Sequence, residues 1–280
     1  MLYSNAHTHT TFCDGSATAE DMVQAAIKQG FTTLGFSSHS YYPKTLDYGM
    51  SPESTLAYIQ EINRLKPLYA DTITLRLGLE LDYYSDVDLT PYEYIIGSVH
   101  HYLDPETGKF HSYDHTADLF KELLHEAFHD DILSLARTYY GQVTELITTR
   151  KPDIIGHFNL ITKYNMKYHL VDETDPAYQK IAYEALLTCA ATGAITEINT
   201  GAIGRGHAQV PYPNREMLRL LCEHHYPVMI TSDCHSTSQL TAGFDIALQL
   251  VQDVGYRSIM VMGKDKLFEE VGIADIINNA

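Results

Sequence analysis

Short apolar runs in this chain end, one after another, in a residue that binds metals or carries protons, and longer amphipathic stretches separate the runs. Residues 3–7, 33–37, 73–83, 94–99, 153–158, 194–199, 227–231 and 258–262 read as strands. Residues 18–29, 52–65, 117–139, 176–191, 215–224 and 239–254 read as helices, with a short helix at the C-terminus. Thr18 suits an N-cap with Asp21 three residues on, and Gly30 suits the position just past that helix. Eight strands alternating with helices predict βα units and a parallel sheet. With no Gly/Ser linker and no internal repeat, one domain over residues 1–280 is expected. A closed or distorted (β/α) barrel suits this length better than an open doubly wound sheet.

The polar residues sit where such a barrel builds its sites. His7-Thr8-His9 leaves the first strand and Asp14 follows five residues later. Strand 33–37 runs into His39, the run at 75–79 into Glu80, and 95–99 into His100 with His101 beside it. Residues 153–156 lead to His157, and 228–232 lead to Asp233-Cys234-His235. All C-terminal strand ends of a parallel barrel share one face, so these nine nitrogen and oxygen ligands converge. In extended chain, residues i and i+2 point the same way, so His7 and His9 can grip one ion together, as can Asp233 and His235. Glu80 can bridge two ions. Nine ligands exceed the needs of one ion and suit two or three, and mixed imidazole–carboxylate ligation favours Zn, Mn or Fe over Ca.

Composition narrows the partners. Lys and Arg number 19 against 36 Asp and Glu, a formal charge of −17. That opposes a general affinity for nucleic acid or an anionic membrane, which rests on Lys and Arg. Four scattered cysteines without a C-x-x-C pair read as reduced thiols, and the first residues carry no basic and apolar leader, so a cytoplasmic protein is expected. No run of about 18 apolar residues suggests a membrane helix. Arg205, flanked by Gly204 and Gly206 after the strand at 194–199, is the first candidate for a phosphate clamp, because a guanidinium fork binds phosphate bidentately. Lys163 and His101 are further candidate substrate or phosphate contacts. The loop around Arg205 is neither a G-x-G-x-x-G fingerprint nor a Walker A sequence. Taken singly, His101, His111, His115, His125, His129, His169, His207, His224 and His225 read as surface or satisfied core residues.

The set His7-Thr8-His9, Asp14, His39, Glu80, Gly97-Ser98-Val99-His100, Gly156-His157 and Ser232-Asp233-Cys234-His235 resembles the PHP (polymerase and histidinol phosphatase) superfamily. Phe12-Cys13-Asp14-Gly15, Glu197-Ile198-Asn199-Thr200 and Pro211-Tyr212-Pro213 look closest to its stand-alone histidinol-phosphate phosphatases. The resemblance implies a distorted (β/α)7 TIM-like barrel, one strand fewer than the count above, and a trinuclear site. Carried over by motif, His7, His9, Glu80 and Asp233 would hold one ion. Glu80, His100 and His157 would hold a second, with His101 the alternative to His100. Asp14, His39 and His235 would hold a third.

The implied activity is a metal-dependent phosphomonoesterase that converts L-histidinol phosphate to L-histidinol and phosphate. A hydroxide bridging the ions would attack phosphorus, Glu80 and Asp233 would be catalytic, and Asp233 or a bound water would protonate the leaving oxygen. Such a substrate also needs a carboxylate for its amine, for which Glu197 and Asp82 are candidates. Tyr41, Tyr42, Tyr83, Tyr84 and Tyr102 could wall the pocket. The competing readings are a PHP-type phosphodiesterase or exonuclease, a phosphatase for another small phosphoester, a metal-dependent amidohydrolase and a metal-storage module. The amidohydrolase is disfavoured because no lysine follows an apolar strand to act as a bridging ligand. Oligomeric state is left open by the sequence.

Overall fold

Runs of four or five residues that are buried on both faces form the centre of the protein, as parallel strands covered by helices must be. The computed structural model describes residues 4–42 and 48–278; Tyr3, the first residue of the first predicted strand, lies outside them. Seven strands run parallel in the order β1 (Ser4–Asn5), β2 (Thr33–Phe36), β3 (Thr74–Asp82), β4 (Tyr94–Ser98), β7 (Ile154–Ile155), β8 (Ile195–Asn199) and β9 (Val228–Thr231). The ends of this run meet where Thr8 bridges Cys234 in parallel, with His9 N–H donating to the Cys234 carbonyl at 2.9 Å. Asn5 ties the same seam, accepting from Ser232 N–H and donating to Ser232 Oγ at 2.7 Å. The eighth predicted strand, β10 (Ser258–Met262), pairs parallel with β9, and lower in the seam Met262 N–H donates to Ser4 Oγ. β10 thus wedges beside a seven-stranded ring, which reconciles eight strands with a (β/α)7 barrel. An unpredicted β11 (Phe268–Gly272) closes the edge antiparallel to β10.

The helices are α1 (Ala19–Lys28), α2 (Pro52–Tyr69), α3 (Ala117–Phe128), α4 (Ile132–Arg150), α5 (Asn165–Tyr168), α6 (Pro176–Ala190), α7 (Gly201–Gly204), α8 (Arg215–Glu223), α9 (Phe244–Val254) and α10 (Ile273–Asn278). Thr18 caps α1 in a reciprocal capping box with Asp21, and Gly30 follows at φ 79°. The single helix expected over 117–139 is two helices. His129 and Asp130 adopt φ 50° and 64°, and the Asp131 side chain then caps α4. The helix expected from residue 239 starts at Phe244, after Gly243 at φ 75°. Also unpredicted is an antiparallel hairpin of β5 (His101–Leu103) and β6 (Phe110–Ser112), turning through Asp104–Gly108.

Inside the ring, Tyr94 packs with Ala6, Ile96, Ile154, Ile195, Met229 and Met262. Its ring leaves no room for a side chain on Gly35 or Gly78, whose Cβ positions would lie 2.4 and 2.3 Å from its atoms. Its hydroxyl donates to the carbonyls of Ala6 and Phe36. The barrel below the site is therefore a packed core, and the strand ends above it are held rigidly.

Candidate metal centre

All nine residues read as ligands gather at the C-terminal strand ends, and seven of them are under 9% exposed. Glu80, near the end of β3, is central and 1% exposed. Its Oε2 lies 3.3 Å from His7 Nε2, 3.5 Å from His9 Nε2 and 2.7 Å from His39 Nδ1. Its Oε1 lies 3.0 Å from His157 Nε2 and 3.4 Å from His100 Nε2. Asp233 Oδ1 approaches His9 Nε2 at 3.1 Å and His7 Nε2 at 3.6 Å. Asp14 sits on the open side, 3.2 Å from His235 Nε2 and 3.7 Å from His39 Nε2. Geometry alone groups His7, His9 and Asp233; His39, Glu80 and His100; and His9, Asp14, His39 and His235. His39 thus stands between two of these groups, one nitrogen toward each.

These residues fit cations. His7 Nε2, His9 Nε2 and Glu80 Oε2 are buried without a hydrogen-bond partner among the described residues, and they face one another. Leaving such atoms unpaired costs about 1–3 kcal/mol each, and more for a charge. His100 and His157 bring their Nε2 atoms to 3.2 Å, a contact in which at most one can donate. Behind the rings, carboxylates fix the tautomer. Glu197 Oε2 accepts from His7 Nδ1 at 2.9 Å, and Asp82 Oδ2 accepts from His100 Nδ1 at 3.0 Å, so each Nε2 lone pair points inward. His235 Nδ1 lies 3.0 Å from the Asp233 carbonyl and 3.2 Å from Arg205 NH1.

Charge follows from this crowding. Burial opposes a charge on His7, yet Glu197, Glu80 and Asp233 together hold its pKa well above the usual value. Burial and the neighbouring His235 and His39 push His9 down to about 3. Burial alone would raise Glu80, but His39, His7 and His100 hold it well below the carboxylate range. Without metal ions, imidazolium protons neutralise the buried carboxylates.

Arg205 follows α7 and reaches into the same cluster. Its NH1 donates to the Asp233 carbonyl at 2.9 Å and its NH2 to Asp233 Oδ2 at 3.0 Å. Gly201 makes this approach possible, since a Cβ there would lie 2.7 Å from Asp233 Oδ2 and 2.8 Å from Arg205 NH2. Asp233 itself has φ 45°, a left-handed conformation that Asp tolerates better than most residues. Against the pull of burial, Arg205 and His7 hold its carboxyl well below the usual range.

A cleft of about 490 Å³ opens over the cluster, lined by Arg205, Lys163, the β5–β6 hairpin and α3. Lys163 lines it, but donates to Asp114 Oδ2 at 2.9 Å and to the Asp114 carbonyl. His101 also lines it, turned away from Glu80; its Nδ1 pairs with the Tyr48 hydroxyl at 2.9 Å, so His100 is the residue within the cluster. Two sequence expectations are corrected here. Glu197 and Asp82 are spent on ligand histidines, Glu197 also accepting from His157 N–H, Asn199 and Thr231, so neither is available to a substrate amine. Tyr41, Tyr42, Tyr83, Tyr84 and Tyr102 do not line the cleft; Tyr48 and Phe110 are its aromatic wall. Tyr83 turns out to Glu145, while Tyr42 and Tyr84 pack behind Phe110. Two signals pointed to what was missed: Asp82 shares a face with Glu80 at i+2, and Glu197 is a carboxylate inside an otherwise uncharged buried strand.

A family model described as "PHP domain" matches residues 5–201. The "Probable histidinol-phosphatase" of Deinococcus radiodurans is 29% identical over 266 residues, covering 91% of this chain and 95% of that protein. A histidinol phosphatase structure from Lactococcus lactis, complexed with zinc, L-histidinol and phosphate, superposes with a TM-score of 0.69 at 20% identity, covering 95% and 98% of the two chains. One from Listeria monocytogenes, assigned as a histidinol phosphatase, superposes at 0.74 with 19% identity over 87% and 99%.

Proposed function

The chain belongs to the PHP domain family, and on that footing we propose that it is a metal-dependent phosphomonoesterase that hydrolyses L-histidinol phosphate to L-histidinol and phosphate. One observation carries the reading: buried, unpartnered His7 Nε2, His9 Nε2 and Glu80 Oε2 face one another under a cleft whose rim holds Arg205 and Lys163. The names of the curated relative and of the superposed structures point to the same substrate.

His7, His9, Glu80 and Asp233 would hold one ion; Glu80, His100 and His157 a second; Asp14, His39 and His235 a third, with zinc, manganese or iron suited to this donor set. Two or three divalent ions supply neutralisation of the phosphoryl dianion and a lowered pKa for bound water. The chain's own residues do the rest. Glu80 presents its two oxygens to two groups of histidines and so sets their spacing. Glu197 and Asp82 hold His7 and His100 in the tautomer that leaves Nε2 free. Arg205 offers its fork to a phosphoryl oxygen, and drawing it off Asp233 would free the Oδ2 carboxylate oxygen to take the proton of the attacking water and pass it to the leaving alkoxide. Tyr48 and Phe110 line the cleft and offer aromatic surface to an imidazole. Aspartate 114 and Lys163 neutralise each other on the rim, which keeps a second charge from being left bare there.

The test is direct. Protein loaded with manganese or zinc is given histidinol phosphate and, separately, single-stranded DNA, and phosphate and mononucleotide are measured. Phosphate release from the small ester with no nucleotide release is expected; the reverse would overturn the assignment.

A further inference from the structure

Away from the barrel cluster, the cleft wall carries a second set of ligand-type side chains. His111, at the centre of β6, is 5% exposed, and its Nε2 has no hydrogen-bond partner among the described residues. Glu122 and Glu126 stand one turn apart on the face of α3 that packs on this hairpin. Their carboxylates and an imidazole nitrogen of His111 offer three ligand atoms within 4.8 Å of one another. Like charges at i and i+4 repel, and here a cation relieves them: Lys109 Nζ donates to Glu122 Oε1 at 2.5 Å and to Glu126 Oε2 at 2.6 Å. Lys109 satisfies the two carboxylates but makes no hydrogen bond to His111, whose Nε2 stays unpaired among the described residues. A divalent ion would satisfy all three.

We propose that His111, Glu122 and Glu126 form a second cation site on the cleft wall, of zinc type and separate from the barrel cluster, which excludes Lys109 when filled. One imidazole and two carboxylates match three-ligand zinc sites, with the fourth position left to water. Ligand atoms around a tetrahedral zinc lie about 3.4 Å apart, given bond lengths near 2.0–2.1 Å. Closing from at most 4.8 Å asks for a movement of about 1 Å or less, which the two glutamates can make while His111 stays fixed in the hairpin. Burial and the nearby Lys109 charge lower the His111 pKa, so its lone pair is free at neutral pH. The site shares no ligand with the barrel cluster, so it stands or falls independently of the phosphatase reading.

Protein with its barrel ions already loaded is dialysed against increasing zinc, and bound metal is counted per chain. Wild type is expected to take up one zinc more than Glu126→Gln, a surface change that keeps the side chain's size. His111→Ala should lose the same equivalent, and retained barrel zinc shows that each variant has folded. Lys109→Met should tighten this last zinc by about tenfold, a gain of about 1.4 kcal/mol. Equal zinc in wild type and Glu126→Gln, or no gain in affinity in Lys109→Met, overturns the proposal.

Discussion

The barrel rim and the hairpin wall line one cleft and are built on opposite principles. On the rim, the ligands come from six strand ends, seven of the nine are buried, and Glu197 and Asp82 lock His7 and His100 from behind. On the wall, charges come from one hairpin and one helix, stand half in solvent, and pair with each other through flexible stems. A group whose position must hold to a fraction of an ångström is placed on rigid strand ends. A group that can be exchanged is placed on added surface structure. Changes on the rim should therefore cost far more than changes on the wall.

The largest effect expected is from Glu80→Ala, which removes the oxygens shared by two histidine groups. Activity should fall more than about 10³-fold together with loss of bound metal, beyond the 10–100-fold typical of a residue that only orients a ligand. Full metal content in that variant would sink the rim's ligand assignment. Arg205→Ala should cost about 10²-fold in kcat/KM with metal content unchanged, because it removes a charge-assisted phosphate contact and leaves the ligands in place. Gly201→Ala separates geometry from charge. Its methyl group would force Arg205 and Asp233 apart, and displacements of this kind cost about 10–10²-fold while every charge is kept. Glu197→Gln should weaken metal binding about 10–100-fold without touching a ligand atom, as measured by competition with a chelator.

Acid should act on the rim in one direction. His7 and His100 are held above the ordinary imidazole pKa by their carboxylates when no cation is present. Protons therefore compete with metal there, and apparent affinity should rise as pH goes up through the neutral range and fall on acidification. On the wall the effects shrink. Tyr48→Phe removes one hydrogen bond to His101, worth about 1 kcal/mol, so kcat/KM should drop by no more than about fivefold. A rim-sized loss from Tyr48→Phe would mean that the wall takes part in the chemistry.

The rim was far more legible than the wall, for a physical reason. Buried strands lead into His39 and His157 where the chain leaves the sheet, and Glu80 lies two residues before the end of β3, so the apolar run itself locates the ligand. Hairpin β5–β6 is too short and too polar to show a period, and its one signal was the turn sequence from Asp104 to Gly108. The break between α3 and α4 was hidden because His129 and Asp130 are ordinary helix residues that here adopt positive φ. The five tyrosines were misplaced because adjacent residues point to opposite sides, and only tertiary packing says which side meets the cleft.

Read without a structure, this chain already determines a parallel α/β barrel, the nine residues at its strand ends, and a chemistry of carboxylates and imidazoles, because burial period and strand-end position are local properties. Three matters belong to the tertiary structure. They are that β10 stands beside a ring of seven strands, that Glu197 and Asp82 serve ligand histidines, and that Arg205 closes on Asp233 across Gly201. Each depends on contacts between segments far apart in the chain, and no local pattern encodes which distant carboxylate an imidazole nitrogen will meet.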